Sequence, residues 1–390
     1  MTEPTSGRPP IAWPTTLFIA GTTLVTIAYP LYAWAYGVTS GEIILALFYF
    51  IACGLSITAG YHRLVAHRAY KCHPALELFF LLFGAAAWQG SALEWGADHV
   101  QHHAYTDTNR DPYDISRGFW YAHVGWLFRK TSPSAVPSFL KTDQLIVWQH
   151  RYYVAIAVMV SFVVPFLIAG TGGLLLAGVV RTFAGHHVTW FINSWAHVGT
   201  KRPYNPTISA SDNWFLAFFT FGEGYHNYHH AFPTDYRNGI RALSFDPSKW
   251  LIWSLSLLGV TWDLKRIGAV RQWRQRVRAA IEQAGAGVEG SVRLRQTRAA
   301  LEKQILRSRT NLARALERAG ERMDSLHHHA ALEELTQRWD AAVRDARAAV
   351  GRASARRVQR VSELAERLKA YQALLEQLVA HEQSLAGACA

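Results

Sequence analysis

The sequence predicts an all-α membrane protein, with four transmembrane helices in the first two thirds of the chain and a helical, coiled-coil-like extension in the last third. Three observations carry this. Uncharged apolar runs long enough to cross a bilayer recur before Ile267. All but three of the aromatic residues lie in that part, the exceptions being Trp273, Trp339 and Tyr371. From Gly268 onward proline is absent and apolar residues recur at helical spacing. The mean hydropathy of +0.00 therefore averages two unlike parts.

Residues 11–36 carry no charged side chain over 26 positions, and residues 43–61 none over 19. Each run can cross about 30 Å of hydrocarbon at about 1.5 Å per residue, which places spans at 13–36 and 43–61. The first is too long for the apolar core of a signal peptide and follows no basic segment of that kind. A third uncharged run, 152–180, has Gly170, Gly172 and Gly173 near its middle. It predicts a span at 152–169, a Gly-rich turn, and a returning span at 174–197. Residues 75–93 include Glu77, and 214–221 are too few to cross, so both are predicted as interfacial or re-entrant helices.

The link 37–42 and the Gly-rich turn contain no Lys or Arg. Arg63, Arg68 and Lys71 follow the second span, and Lys201 and Arg202 follow the fourth. The positive-inside rule then puts the basic loops and both termini in the cytoplasm.

The extension, 268–390, holds +8 of the formal charge of +12. Leu294, Leu301, Ile305, Leu312 and Leu316 form a first helical stripe; Leu332, Leu335, Trp339 and Val343 a second; Val361, Leu364, Leu368, Tyr371, Leu375 and Leu378 a third. They predict three amphipathic helices, packed together or self-associating as a coiled coil. His327, His328 and His329 read as a solvated turn. No nucleic-acid motif accompanies the basic charge, so membrane lipid is the expected partner and nucleic acid is not. Three cysteines without a C-x-x-C pair exclude a disulfide framework, thiolate zinc sites and thioredoxin chemistry.

Fourteen histidines precede Ile267, and eight of them form three clusters: His62 with His67, His99 with His102 and His103, and His226 with His229 and His230. Positions i, i+3 and i+4 project from one helix face, so each H-x-x-H-H offers three imidazoles to one place. A ninth, His197, ends the fourth span, with Asn193 one turn before it. Nine imidazoles exceed the four ligands of one tetrahedral metal and suit two metals with positions left open. Imidazole serves Zn, Cu, Fe and Ni alike. The scarcity of carboxylates favours redox chemistry over two-metal hydrolysis.

Four strings now carry a resemblance: Tyr-His-Arg-Leu-Val-Ala-His-Arg at 61–68, Glu-Trp-Gly-Ala-Asp-His-Val-Gln-His-His at 94–103, Arg-Gly-Phe-Trp-Tyr-Ala-His-Val-Gly-Trp-Leu at 117–127, and Gly-Glu-Gly-Tyr-His-Asn-Tyr-His-His at 222–230. In order, spacing and flanking residues they resemble the membrane fatty acid desaturases of the acyl-CoA Δ9 (stearoyl-CoA) type. The likeness runs over residues 14–267 and does not reach the extension. It implies four membrane helices under a cytosolic helical cap that holds two iron ions. It implies His62, His67, His99, His102, His103, His197, His226, His229 and His230 as ligands, with Asn193 reaching one iron through water. His123 and His187 match nearby positions that are not ligands.

The implied reaction is O2-dependent desaturation of a long-chain acyl thioester, in a tunnel lined by Thr189 and Trp190. Asp98, Arg129 and Lys130 match coenzyme A contacts. Two departures, Ala97 where the animal enzymes have Arg and Gly90 where they have Asn, leave the carrier open between coenzyme A, acyl carrier protein and a lipid-linked acyl group. With no His-Pro-Gly-Gly haem motif, electrons are expected from a separate ferredoxin or cytochrome with its reductase. The small size and the Gly-rich turn suggest a bacterial form in the inner membrane. Two other readings stand beside this one. A related di-iron hydroxylase lacks its Glu-containing histidine boxes here. A histidine-rich metal transporter or scaffold would line a path across the bilayer, whereas these histidines gather at one face.

Overall fold

The computed structural model describes residues 9–129 and 133–268, with a few helical residues between 271 and 282. Lys130 and the expected extension helices, including histidines 327–329, lie outside the described residues.

Three helical stretches among the described residues are long and apolar enough to cross a membrane: Trp13–Tyr36, Ser40–Ala66 and Tyr153–His197. The first, α1 (Trp13–Tyr36), has Pro14 in its opening turn and stops at Gly37, whose φ of 78° suits a residue without a Cβ. Only 6% of its apolar window is fully buried, and one face, through Phe18, Thr22, Val25, Tyr29 and Tyr32, is partly covered. It packs on the segment Leu174–Val180, and at its start the Ala12 amide donates to the Phe128 carbonyl at 3.0 Å and Phe18 stacks on Trp88 at 4.6 Å.

The second stretch is helical beyond the uncharged run at both ends. Helix α2 (Ser40–Leu55) begins at Ser40 because Thr39 and Glu42 form a capping box, so the charged Glu42 lies inside the helix it starts. At the other end the helix continues past Tyr61 as a π-helix, Ser56–Ala66.

The third stretch is broken near its middle. Residues 153–197 are assigned helical throughout, yet Ala169 (φ −137°, ψ 24°) and Gly170 (φ 60°, ψ −150°) are not helical. The chain folds back there. A Cβ at Gly173 would stand 2.4 Å from the Pro165 carbonyl oxygen, and one at Gly178 would stand 3.0 Å from that of Ser161, so the two limbs run antiparallel in close contact. The turn is therefore only two residues, and Gly172 and Gly173 belong to the returning limb.

Helix α3 (Pro74–Ala86) starts at His73, whose side chain accepts from the Ala75 amide. It is too short to be one of the spans and packs on the π-helix. A Cβ at Gly60 would lie 2.6 Å from that of Phe80, and one at Gly84 would lie 2.3 Å from the Tyr61 ring. Tyr49, Cys53, Ile57, Tyr61 and Val65 of the second stretch join Leu81, Leu140 and Ile146 in the main core. Helix Trp214–Phe219 instead turns Trp214, Phe215, Phe218 and Phe219 outward. A short antiparallel pair, β1 (Lys71–Cys72) with β2 (Thr261–Trp262), ties the end of this region to the loop after the second stretch.

The chain divides into two compact units. Residues 1–202 with 207–266 contain every element above. In the other, 203–206 with 267–390, the Gln275 side chain donates to the Tyr204 carbonyl at 2.7 Å.

Candidate metal centre

The clustered histidines sit on four elements, and the local geometry of each follows from its spacing. His62 and His67 are five apart, which on an α-helix at 3.6 residues per turn would splay them by about 140°. A π-helix closes its turn on the fifth residue. The His67 amide donates to the His62 carbonyl at 3.1 Å, the i→i+5 bond itself, and the two rings lie 4.8 Å apart. Helix α4 (Ala92–Tyr105), started by a Ser91/Glu94 capping box, presents His99, His102 and His103. A 3₁₀ turn, Trp195–His197, presents His197, and helix His226–Ala231 presents His226, His229 and His230. Before that last helix the backbone of Gly224 runs so close to helix Trp214–Phe219 that a Cβ would stand 2.2 Å from the Ala217 nitrogen.

The nine imidazoles converge as two groups. His62, His67, His99, His103 and His229 form one, and His102, His197, His226 and His230 the other, with the donor atoms of each within 4.8 Å of one another. In the first group Nε2 atoms face each other at 2.9 Å (His62 and His229) and 2.8 Å (His67 and His99, His103 and His229). In the second they do so at 3.0 Å (His197 and His226), 3.1 Å (His226 and His230) and 3.2 Å (His102 and His230).

These distances test whether a metal fits. The Nδ1–H of His62 donates to Glu223 Oε2 at 2.9 Å, and that of His102 donates to Asp111 Oδ1 at 2.9 Å. His197 Nδ1–H donates to Ser209 Oγ at 2.6 Å, and the Ser209 hydroxyl in turn donates to Asp107. Each of these three rings therefore turns a lone pair inward at Nε2. A cation placed between the facing Nε2 atoms would be held by these lone pairs. With metal–nitrogen bonds of about 2.0–2.1 Å, ligands at right angles stand about 2.9 Å apart and tetrahedral ones about 3.4 Å. The observed edges fit five- or six-coordinate sites, and the donor set fits two metal ions.

Electrostatics agree. Burial, reinforced by neighbouring imidazoles, holds His67, His99, His103, His226, His229 and His230 well below the usual histidine range. They are neutral near pH 7, the form that binds metal. Burial works to raise Glu223, but His62 and Arg63 outweigh it and hold the carboxyl at about 2. Arg63, 1% exposed, donates to Glu223 Oε1 at 2.9 Å and to the Tyr236 carbonyl at 2.9 Å, and pairs with Asp246 at 2.9 Å.

The remaining expected site residues are dispersed. Asn193 lies half-buried on the last turn of helix Arg181–Ser194, four residues before His197. Asp98, on α4, is raised by burial despite a hydrogen bond from Ser134. Arg129 is exposed and donates to the Pro9 carbonyl at 3.0 Å. Thr189 accepts from the Gln89 side chain at 2.9 Å and lines a mainly apolar cavity with Phe50, Thr58, Ile192 and Phe221. Three of those residues stand shortly before histidines of the centre: Thr58 before His62, Ile192 before His197, Phe221 before His226. Trp190 is buried but does not line the cavity; its ring meets those of His123, His186 and His187. His123 and His187 bond to each other at 3.0 Å and belong to neither group.

Sequence reasoning missed Arg63, Asp107, Asp111, Ser209 and Asp246, and saw Glu223 only as part of a string. Arg63 was read as a loop charge. Beside His62 and five residues from His67, it stands in a segment whose spacing already disagreed with an α-helix.

Residues 12–244 match the family model described as Fatty acid desaturase. Acyl-CoA desaturase 1 of Saccharomyces cerevisiae is 44% identical over 254 residues, which cover 61% of this chain and 50% of that protein. Probable acyl-CoA desaturase of Schizosaccharomyces pombe is 45% identical over 232 residues, 57% of this chain and 48% of its own. Stearoyl-CoA desaturase 5 of Bos taurus is 36% identical over 235 residues, 57% of this chain and 70% of its own. The chain thus spans about half the length of the two yeast relatives. These relatives are fungal and mammalian and lend no support to the bacterial form expected above.

Proposed function

This chain belongs to the fatty acid desaturase family, and we propose that it introduces a double bond into a long-chain fatty acyl thioester, at the Δ9 position and with coenzyme A as the carrier. The observation that carries the reading is the pair of five- and four-imidazole groups beside an apolar cavity walled by Ile57 and Thr58 of the π-helix that carries His62, and by Ile192 and Phe221 shortly before His197 and His226. The names of the yeast and bovine relatives support the substrate class.

Two iron ions, when bound, would supply the oxidising power that an unactivated methylene demands, using O2 and electrons from a separate ferredoxin or cytochrome. His62, His67, His99, His103 and His229 would hold one, and His102, His197, His226 and His230 the other, with Asn193 beside the second. The chain's own residues do the rest. Phe50, Ile57, Ile192 and Phe221 give the acyl chain a dry wall, so that one carbon pair is held in place and water is kept out. The Gln89–Thr189 bond closes off the polar atoms that this wall would otherwise expose. The buried imidazoles arrive neutral, so metal binding releases no proton from them.

In this reading the limbs on either side of Ala169 and Gly170 cross the bilayer separately, giving four spans. The basic residues Arg68, Lys71, Lys201 and Arg202 favour the cytoplasm for the histidine side, under a helical cap. Residues 1–267 are the desaturase domain, Asp98, Arg129 and Lys130 meet the head group, and the apolar spacing in 268–390 supports a helical extension that packs together or self-associates.

The test is lipid analysis of an expressing host that lacks its own Δ9 desaturase. Monounsaturated chains are expected from the wild type, and none from His229→Ala at equal membrane insertion. Hydroxylated chains without an olefin, or metal uptake without either product, would overturn the reading.

A further inference from the structure

We propose that Asp111 and Glu223 are positioning residues, each fixing one histidine group, and that they act unequally, so that the four-imidazole group is the more electron-rich of the two. The proposal rests on the reading that both groups hold metal.

Each group contains an imidazole whose outer nitrogen is fixed by a buried carboxylate. In the five-imidazole group it is His62, held by Glu223 at 2.9 Å. In the four-imidazole group it is His102, held by Asp111 at 2.9 Å. Both carboxylates are nearly inaccessible, 3% exposed for Glu223 and 6% for Asp111. Such a partner sets the tautomer and ring angle of a ligating histidine and strengthens it as a donor.

The two carboxylates differ in what else they meet. Glu223 gives its second oxygen to the Arg63 guanidinium at 2.9 Å and accepts from the Asn238 amide at 2.6 Å. That cation, which Glu223 shares with Asp246, competes with His62 for its charge. Asp111 accepts otherwise only from two backbone amides, Asp107 at 3.1 Å and Tyr113 at 3.2 Å, and no Lys or Arg pairs with it among the described residues. Its charge is left to His102. A second imidazole of the same group, His197, is linked through Ser209 to Asp107. Two of four imidazoles are thus backed by aspartate, against one of five backed by a glutamate that also faces a cation.

The experiment uses the full chain purified after growth with ⁵⁷Fe, read by iron per chain and by Mössbauer spectra. Asp111→Ala should halve the iron, and Asp111→Asn, which keeps an acceptor but not the charge, should keep the iron and shift one quadrupole doublet only. Glu223→Gln should shift the other doublet, by less. Loss of both irons together from a folded Asp111→Ala protein, equal shifts of both doublets in Asp111→Asn, or a larger effect of Glu223→Gln would overturn the proposal while leaving the metal-binding reading intact. A folded wild type that takes up no iron would overturn that reading and the proposal with it.

Discussion

Replacing Arg63 by Met tests what holds the polypeptide around the histidines. The guanidinium of Arg63 joins the π-helix to Glu223, to Asp246 and to the Tyr236 carbonyl, all buried. Asp246 in turn accepts from the Asn238, Gly239 and Lys249 amides, so one cation organises the loop that runs from the last histidine helix to helix Pro247–Leu257. Met has similar length but pairs with nothing, leaving two buried carboxylates without their cation. Removing one partner of a buried pair costs about 3–5 kcal/mol. At about 2–4 °C per kcal/mol for a domain of this size, the melting temperature should fall by about 6–20 °C. The assay is thermal unfolding of detergent-purified protein, followed by size exclusion. Adding Glu223→Gln should recover part of the loss, because removing both partners costs less than removing one. A fall below about 2 °C in the single variant, or no recovery in the double, would refute the idea that Arg63 neutralises this cluster.

Three further outcomes are expected. Burial, with Asp143 beside it, raises Glu77 to about 7, so its proton stays on in the folded chain and stability should decline as pH rises from about 4.5 through 7; Glu77→Gln should melt higher than wild type at pH 8 and no higher at pH 4.5, and equal gaps at both pH values would contradict this. At Gly54 a Cβ would stand 2.3 Å from the Phe221 ring, whose backbone already has a φ of 53°; Gly54→Ala should cost about 1–3 kcal/mol in melting experiments, and Phe221→Ala in the same chain should relieve it. Lys249 donates to the carbonyls of Gly239, Arg241 and Ser244, at 2.7, 2.7 and 3.1 Å, so Lys249→Met should speed tryptic cleavage after Arg241, and an unchanged rate would show that the loop holds itself.

What the sequence made legible was local. The spacing of His99, His102 and His103, and of His226, His229 and His230, names one helix face in each case, and an uncharged run of apolar residues needs no partner to be read. What escaped was anything set by a neighbour distant in the chain or by an unusual backbone. The π-helix that aligns His62 with His67 was visible only as a spacing that an α-helix cannot serve. The link from Asp107 through Ser209 to His197 joins residues about a hundred positions apart. Glycine composition marked the reversal near Gly170, yet packing against Pro165 and Ser161 decided which glycines turn and which let helices touch. Thr189 was placed on a cavity wall, whereas Trp190, its neighbour, faces a cluster of rings instead.

The reversal at Ala169 and Gly170 also bears on how the chain is made. On the proposed four-span reading its turn has no charge to drag through the bilayer, but the returning limb carries Arg181, 4% exposed. Entering alone, that limb would bring an arginine into hydrocarbon at a cost of about 2.5–3.5 kcal/mol. In the folded chain Arg181 donates to Ser161 Oγ at 2.7 Å and to the Ala86 carbonyl at 2.8 Å, both synthesised before it. Insertion of the later limb is then conditional on the earlier one. A chain lacking residues 152–169 should leave 174–197 accessible to water-soluble thiol reagents at an introduced cysteine, and protection of that cysteine would show that the limbs enter independently.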